Sequence, residues 1–314
     1  MQAALTGESL VTPTCRGDTP HLHDRQGPRD GKGIGKVTSS EILPAQAVNL
    51  LDDLTAIVAG ACTLVGKISP ATVIKRLKPD QSPVTAADEV SEVAILKGLS
   101  RLLPGVRVVS EESADANQPI GLSESFLVID PLDGTREFLD GRDEFTVNLA
   151  IITRGVPIAG IIAAPKRGRL WRGVVGEKAE RLRLLHNGAN QAEAIRTRPW
   201  PGPQAIAAVS RSHFDGSTDA FLASLGSITR KASGSAIKFC QVAEGTADVY
   251  PRLAVTCEWD VAAGHALVAA AGGVVESPQG VALAYGRSRE GFRVPAFVAW
   301  GDALKAAAIR AKGS

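Results

Sequence analysis

The sequence lacks an excess of charge of either sign. Its 35 Lys and Arg against 33 Asp and Glu leave a formal charge of +2 at pH 7. Nucleic-acid binding driven by bulk positive charge is therefore not expected. No stretch approaches the roughly 18 consecutive apolar residues of a membrane span, so no integral membrane segment is expected. Residues Met1 to Thr14 lack a basic region followed by an apolar one, and no secretory leader is expected there. The four cysteines, Cys15, Cys62, Cys240 and Cys257, stand far apart with no C-x-x-C pair. That excludes a zinc ribbon and a disulfide framework and points to a reducing, cytoplasmic setting. There is no internal repeat and no Gly-x-Ser-x-Gly nucleophile elbow. Gly31 to Lys36 has the wrong spacing for a phosphate loop, Val37 follows the lysine, and no strand precedes it.

What is present is 314 residues, 44% of them apolar, enough for two domains or one large one with a true core. Residues 1–43 are rich in Gly, Pro, Thr, Asp, Arg and His without apolar periodicity, and read as a disordered extension. His21 and His23 fall within it. Pro44 to Ile68 reads as a long helix. Lys78 to Pro83 reads as a loop, and Thr85 as the cap of a helix through about Leu103 that Pro104-Gly105 ends. Strand-like runs follow at Val106–Ser110, Phe126–Ile129, Phe145–Thr153, Ile158–Ala163 and Leu170–Val175. Three prolines between Arg196 and Pro203 suggest a boundary between a domain over 44–198 and another over 199–314. Beyond it, Ala205–Ser210 reads as a strand, with helices from Ser217, near Ser235–Glu244 and over Asp260–Ala271. This alternation implies layered α and β structure.

Charge is more telling locally. Asp88 to Asn148 holds thirteen acidic and five basic residues, an acidic centre that suits bound cations beside an anionic ligand, or a solvated surface. Within it the apolar run from Phe126 ends in Asp130-Pro131-Leu132-Asp133-Gly134-Thr135. Clustered carboxylates at a strand end are a layout for hard, oxygen-seeking cations such as Mg²⁺. Gly134 permits a close backbone approach, and the amides of Gly134 and Thr135 can face a phosphate. An Asx turn closing a hairpin is the other reading. Three more segments set acids at element ends: Ser110-Glu111-Glu112, Val84-Thr85-Ala86-Ala87-Asp88, and Glu258-Trp259-Asp260-Val261-Ala262-Ala263-Gly264. Each alone reads equally as a helix cap or a solvated pair.

Together, in this order, they resemble the inositol monophosphatase superfamily of Mg²⁺-dependent, lithium-sensitive phosphatases. The resemblance rests on Asp130 to Thr135 and on Trp259 to Gly264, supported by Glu111-Glu112 and by Val84 to Asp88, and it spans about residues 44–305. Asp133-Gly-Thr-Arg-Glu-Phe-Leu139, Glu144-Phe-Thr-Val-Asn148, Ser210-Arg-Ser-His213, Gly234-Ser-Ala-Ile-Lys-Phe-Cys240 and Ala299-Trp300-Gly301 resemble its CysQ branch of 3'(2'),5'-bisphosphate nucleotidases. Arg136 departs from the usual lysine there, and Leu139 to Asp143 is more acidic than usual.

The resemblance implies an αβαβα sandwich of the sugar-phosphatase type and a two- or three-ion Mg²⁺ site. Glu111, Asp130 and Asp133 would hold one ion and Asp260 a second beside Asp130 and Asp133, with the Leu132 carbonyl as a backbone ligand. Asp88 and Thr135, with Glu111, would orient and deprotonate the attacking water. Gly134 and Thr135 would bind phosphate. Ser210, Arg211 and His213 would contact substrate, Gly234 and Ser235 would open a helix as an anion site, Lys238 would approach a second phosphate, and Glu258 would contact the ribose or base. The implied partner is a small phosphorylated nucleotide, adenosine 3',5'-bisphosphate, cleaved to AMP and phosphate by a cytoplasmic enzyme that could touch the inner membrane face. Inositol phosphate or fructose 1,6-bisphosphate as substrate, and a non-catalytic phosphometabolite binder, are the alternatives. The sequence does not set the oligomeric state.

Overall fold

The computed structural model describes residues 41–78, 83–121, 124–186, 188–211 and 216–313. The chain runs α1 (Pro44–Val65), β1 (Arg76–Leu77), β2 (Pro83–Val84), α2 (Ala86–Leu102), β3 (Arg107–Ser110), β4 (Ser125–Asp133), α3 (Thr135–Leu139), β5 (Thr146–Thr153), β6 (Val156–Ala164), β7 (Arg169–Val174), β8 (Lys178–Leu185) and β9 (Gly188–Ala194). It continues with β10 (Ile206–Ser210), α4 (Gly216–Ser224), β11 (Thr229–Ser233), α5 (Ile237–Ala243), β12 (Val249–Arg252), β13 (Thr256–Cys257), α6 (Glu258–Ala270), β14 (Val274–Glu276), β15 (Arg293–Val294), β16 (Phe297–Trp300) and α7 (Ala303–Gly313).

Seven strands, in the order β3-β4-β5-β6-β7-β8-β9, form one sheet, and five, in the order β11-β10-β12-β16-β14, form a second. Strand β4 is apolar without alternation from Phe126 to Ile129 because both faces are covered there. Leu127 and Ile129 pack against α1 and α2, whereas Phe126 and Val128 face α5 and α6. The second sheet repeats the pattern. Tyr250, Phe297 and Ala299 join the same central core, while Val249, Val298 and Trp300 turn outward to Leu222 of α4 and Ala306 of α7. The layers are thus α1/α2, sheet, α5/α6, sheet, α4/α7, the αβαβα sandwich.

The middle layer explains why α6 is made of small residues. A Cβ on Gly160 of β6 would lie 2.2 Å from the Ala263 carbonyl oxygen, and one on Gly264 would lie 2.2 Å from the Phe239 ring. Only glycine lets this helix sit so close to its neighbours on both sides.

Several elements differ from the sequence-based reading. Strands β8 and β9 extend the first sheet without an apolar run to announce them, because β9 is polar and largely exposed at the sheet edge. Order begins before Pro44: Ile42 is buried, its amide donates to Ser125 Oγ at 2.7 Å and its carbonyl accepts from Thr153 Oγ1 at 2.8 Å. The remainder of the expected extension, residues 1–40 with His21, His23 and Cys15, lies outside the described residues, as do residues 79–82 of the expected loop. Among the described residues one helix, α1, is long and apolar enough by length and composition to cross a membrane. Its apolar face, from Ala47 through Leu54 to Val65, is buried in this core.

Candidate active site

A regular strand sends side chains three residues apart to opposite faces. Strand β4 avoids this through a bulge: Asp130 pairs with Asn148 and Asp133 with Thr146, so one extra residue lies on the β4 side. The bulge aims both carboxylates the same way, as such irregularities do at functional sites. Gly134 follows with φ 91°, and a Cβ there would meet the Glu144 carbonyl oxygen at 3.4 Å. Asp260 arrives from the first turn of α6. Asp130, Asp133 and Asp260 each present one carboxylate oxygen within 4.8 Å of the others.

Each acid of this triad spends an oxygen on the protein. Asp130 Oδ1 accepts from the Leu132 amide at 3.0 Å. Asp133 Oδ2 accepts from Asn148 Nδ2 at 3.2 Å and from Thr146 Oγ1 at 3.4 Å. Asp260 Oδ2 accepts from the Cys257 amide at 3.0 Å and from Thr256 Oγ1. Asp260 is therefore a helix cap, and that role leaves its other oxygen available. Asp130 Oδ2 is buried without a hydrogen-bond partner among the described residues. Burial, then the negative charges of Glu111, Asp133 and Asp260, push the Asp130 carboxyl well above the usual carboxylate range. Burial and Asp260 push Asp133 to about 7, against the pull of Lys238. These are acids built to share a cation.

Glu111 lines the same cavity, but its Oε1 accepts from Lys78 Nζ at 2.6 Å, and Lys78 also donates to Glu112 at 2.7 Å. Burial raises Glu111 to about 7; Lys78 pulls it down, and Asp260 pushes it up. Glu111 thus belongs to the cavity, while the tight carboxylate group is Asp130, Asp133 and Asp260, the set expected around the second ion.

Thr85 and Asp88 form a capping box at the start of α2: Asp88 Oδ2 accepts from the Thr85 amide at 2.8 Å and from its hydroxyl at 2.7 Å. Both readings of this segment meet in one residue, because Asp88 Oδ1 also accepts from Thr135 Oγ1 at 3.0 Å. Thr135 lines the cavity and Asp88 is buried behind it, so Asp88 touches the cavity wall through Thr135. Burial raises the Asp88 carboxyl, and the Thr85 and Thr135 hydrogen bonds partly offset it. The Leu132 carbonyl lines the cavity 3.3 Å from the same hydroxyl.

The opposite wall comes from the second half of the chain. The cavity encloses about 270 Å³, and Ser210, Gly234, Ser235, Lys238, Tyr250 and Arg252 line it there. Ser235 has φ 43°, and its Oγ is buried without a partner among the described residues. Lys238 is buried, because α5 is wedged between the two sheets. It donates to the Ser235 carbonyl at 2.5 Å and to the Ser233 carbonyl at 3.3 Å. Burial lowers its ammonium to about 8, partly opposed by Asp133.

Gly234 and Ser235 line the cavity without forming a helix start, and Glu258 lies outside it. The Gly234 amide donates to Glu144 Oε2 at 3.0 Å, and α5 begins only at Ile237, so Gly234 and Ser235 do not open a helix as an anion site. Glu258 turns away from the cavity, and its carboxylate accepts from the Gly286 and Arg287 amides at 2.9 and 2.8 Å. His213 lies outside the described residues. Arg211 donates to Glu144 through Nε at 2.8 Å and NH2 at 2.9 Å.

Arg252 and Lys78 were missed from sequence. Arg252 Nε is buried without a partner among the described residues, in a wall facing three carboxylates. Its only sequence signal is a cation in the otherwise apolar strand-like stretch Val249 to Ala254.

A family model described as the inositol monophosphatase family matches residues 45–306. The chain belongs to this family. It is 39% identical over 228 residues to the 3'(2'),5'-bisphosphate nucleotidase CysQ of Salmonella typhimurium, covering 70% of this chain and 86% of that one. It is 40% identical over 220 residues to the CysQ of Escherichia coli, with the same coverage. The crystal structure of CysQ from Bacteroides thetaiotaomicron superposes with a TM-score of 0.65 at 31% identity, covering 81% of this chain and 97% of that one. Family membership makes the chain a metal-dependent phosphatase. The residues present fit a cation: the unpartnered Asp130 Oδ2 and the two neighbouring carboxylates are an all-oxygen donor set.

Proposed function

We propose that the chain is a Mg²⁺-dependent phosphomonoesterase that hydrolyses adenosine 3',5'-bisphosphate to AMP and phosphate. The observation that carries this reading is the two-sided cavity. Three carboxylates form one wall, and Lys238, Arg252 and the unpartnered Ser235 Oγ form the other. A substrate with one phosphate on each side matches it. The nucleotidase relatives support the same substrate.

Asp130, Asp133 and Asp260 would hold Mg²⁺, with Glu111 and the Leu132 carbonyl at the same cavity. Bound there, the cation supplies positive charge to the phosphate oxygens and acidifies a coordinated water. The remaining work falls to the protein. Thr135 Oγ1 donates its single hydrogen to Asp88 Oδ1, which leaves its lone pairs to accept a hydrogen from water. As that water attacks phosphorus, its proton passes to Thr135 Oγ1 and the threonine proton passes to Asp88 Oδ1. The burial-raised basicity of Asp88 suits it to this task. The phosphorus–oxygen bond to the 3' carbon's oxygen breaks, and the leaving alkoxide takes a proton from solvent. Lys238 and Arg252 would hold the 5'-phosphate in place meanwhile.

Residues 44–198 thus supply most of the metal side, and residues 199–314 supply the substrate cations together with Asp260. Cys62, Cys240 and Cys257 are free thiols, in keeping with a cytoplasmic enzyme. Chromatography of the products tests the reading. Equal amounts of AMP and phosphate are expected, whereas adenosine 3'-phosphate would reverse the assignment of the two walls.

A further inference from the structure

A second concavity of about 310 Å³ lies on the first sheet, lined by Arg167, Arg169, Arg181, Arg183, Gln191 and Glu193. Two of its arginines already have acidic partners. Arg167 pairs with Asp143 and Glu144, and Arg181 pairs with Glu193 and Glu244. Arg169 and Arg183 have none. They stand directly opposite one another in the β7–β8 register, and both are exposed. Among the described residues no carboxylate pairs with either. Like charges placed directly opposite across an antiparallel pair destabilise it, and an anion between them reverses that sign. The neighbouring strand shapes the space. The β8–β9 register shifts between Arg181 and Arg183, and Gln191 is turned into the left-handed region at φ 55°.

We propose that this concavity is a second anion site, which takes a phosphate-bearing small molecule between the guanidinium groups of Arg169 and Arg183. Planar guanidinium forks match phosphate oxygens in pairs, which a lysine point charge does not. The concavity has its own lining residues, none shared with the carboxylate cavity. The inference therefore stands whether or not the nucleotide assignment above is correct.

Equilibrium dialysis of the Mg²⁺-loaded protein against radiolabelled inorganic phosphate, at low ionic strength, tests it. The wild type should bind one phosphate per chain here, in addition to whatever the carboxylate cavity holds. The double variant Arg169→Gln/Arg183→Gln should bind one phosphate fewer than the wild type, with turnover unchanged and a melting temperature no lower without phosphate. Arg169→Lys/Arg183→Lys keeps the charge but not the fork, and should weaken this site by about tenfold or more. A wild type that binds no phosphate overturns the proposal. So does a glutamine variant with undiminished stoichiometry, or a lysine variant with undiminished affinity.

Discussion

Replacing Asp88 with asparagine separates the proton-accepting role from the capping role. In the wild type, Oδ2 serves the Thr85 amide and hydroxyl, and Oδ1 accepts from Thr135. An asparagine that keeps its oxygen on the Thr85 side turns its NH₂ toward Thr135 Oγ1. That hydroxyl can then donate to the Leu132 carbonyl, 3.3 Å away, and accept from the new amide. The hydrogen-bond count is preserved and a buried charge is removed, so the melting temperature should move by only a few degrees. The relay to a carboxylate is gone. Loss of a general base costs about 10²- to 10⁴-fold, or about 3–5 kcal/mol of barrier. Phosphate release at saturating substrate and Mg²⁺ should show that loss in kcat, with KM changed little, because Asp88 does not line the cavity. A folded Asp88→Asn protein with kcat within about threefold of wild type would refute the relay.

Asp133→Asn should abolish turnover while leaving the fold intact, as circular dichroism and phosphate release would show; normal activity at ordinary Mg²⁺ would sink its role as a ligand. Without metal, burial and mutual repulsion raise Asp133 from 3.8 and Glu111 from 4.5, each to about 7. The folded state then binds protons that the unfolded chain has released, so the protein in EDTA should lose stability as pH rises from about 4 to about 7 and change little above. Mg²⁺ should remove most of that loss, and a melting temperature independent of both would contradict the shared-cation reading. Arg252→Gln should raise KM for adenosine 3',5'-bisphosphate about tenfold or more. It should leave adenosine 3'-phosphate, which lacks the second phosphate, little changed; equal effects on both would remove Arg252 from phosphate recognition.

The parts of the molecule that announce themselves in sequence are those where local chemistry and the fold agree. The apolar run into Asp130 to Thr135 marks a doubly covered strand ending at a site, and the Thr85-to-Asp88 spacing marks a capped helix whose acid has a second use. What stayed hidden depends on distant packing. Lys238 enters the reading through the resemblance alone, and its burial follows from the sheets on both sides of α5. Arg252 sits in no recognisable motif and becomes informative only when its Nε is found without a partner. Glu144 reads as part of a strand entry, yet its carboxylate takes the Gly234 amide and Arg211 and so holds the cavity wall from behind. Glu258 beside Asp260 looks like a site residue, but the loop at Gly286 and Arg287 claims it. Edge strand β9 lacks the apolar alternation that reveals buried strands.

The most direct test of the central claim is Mg²⁺-dependent phosphate release from adenosine 3',5'-bisphosphate, inositol 1-phosphate and fructose 1,6-bisphosphate, each with and without Li⁺. The two-sided cavity predicts a dominant, Li⁺-sensitive rate on the nucleotide. A dominant rate on either of the other two would contradict the assignment of Lys238 and Arg252 to a second nucleotide phosphate, and the absence of metal-dependent release from all three would contradict the catalytic site itself.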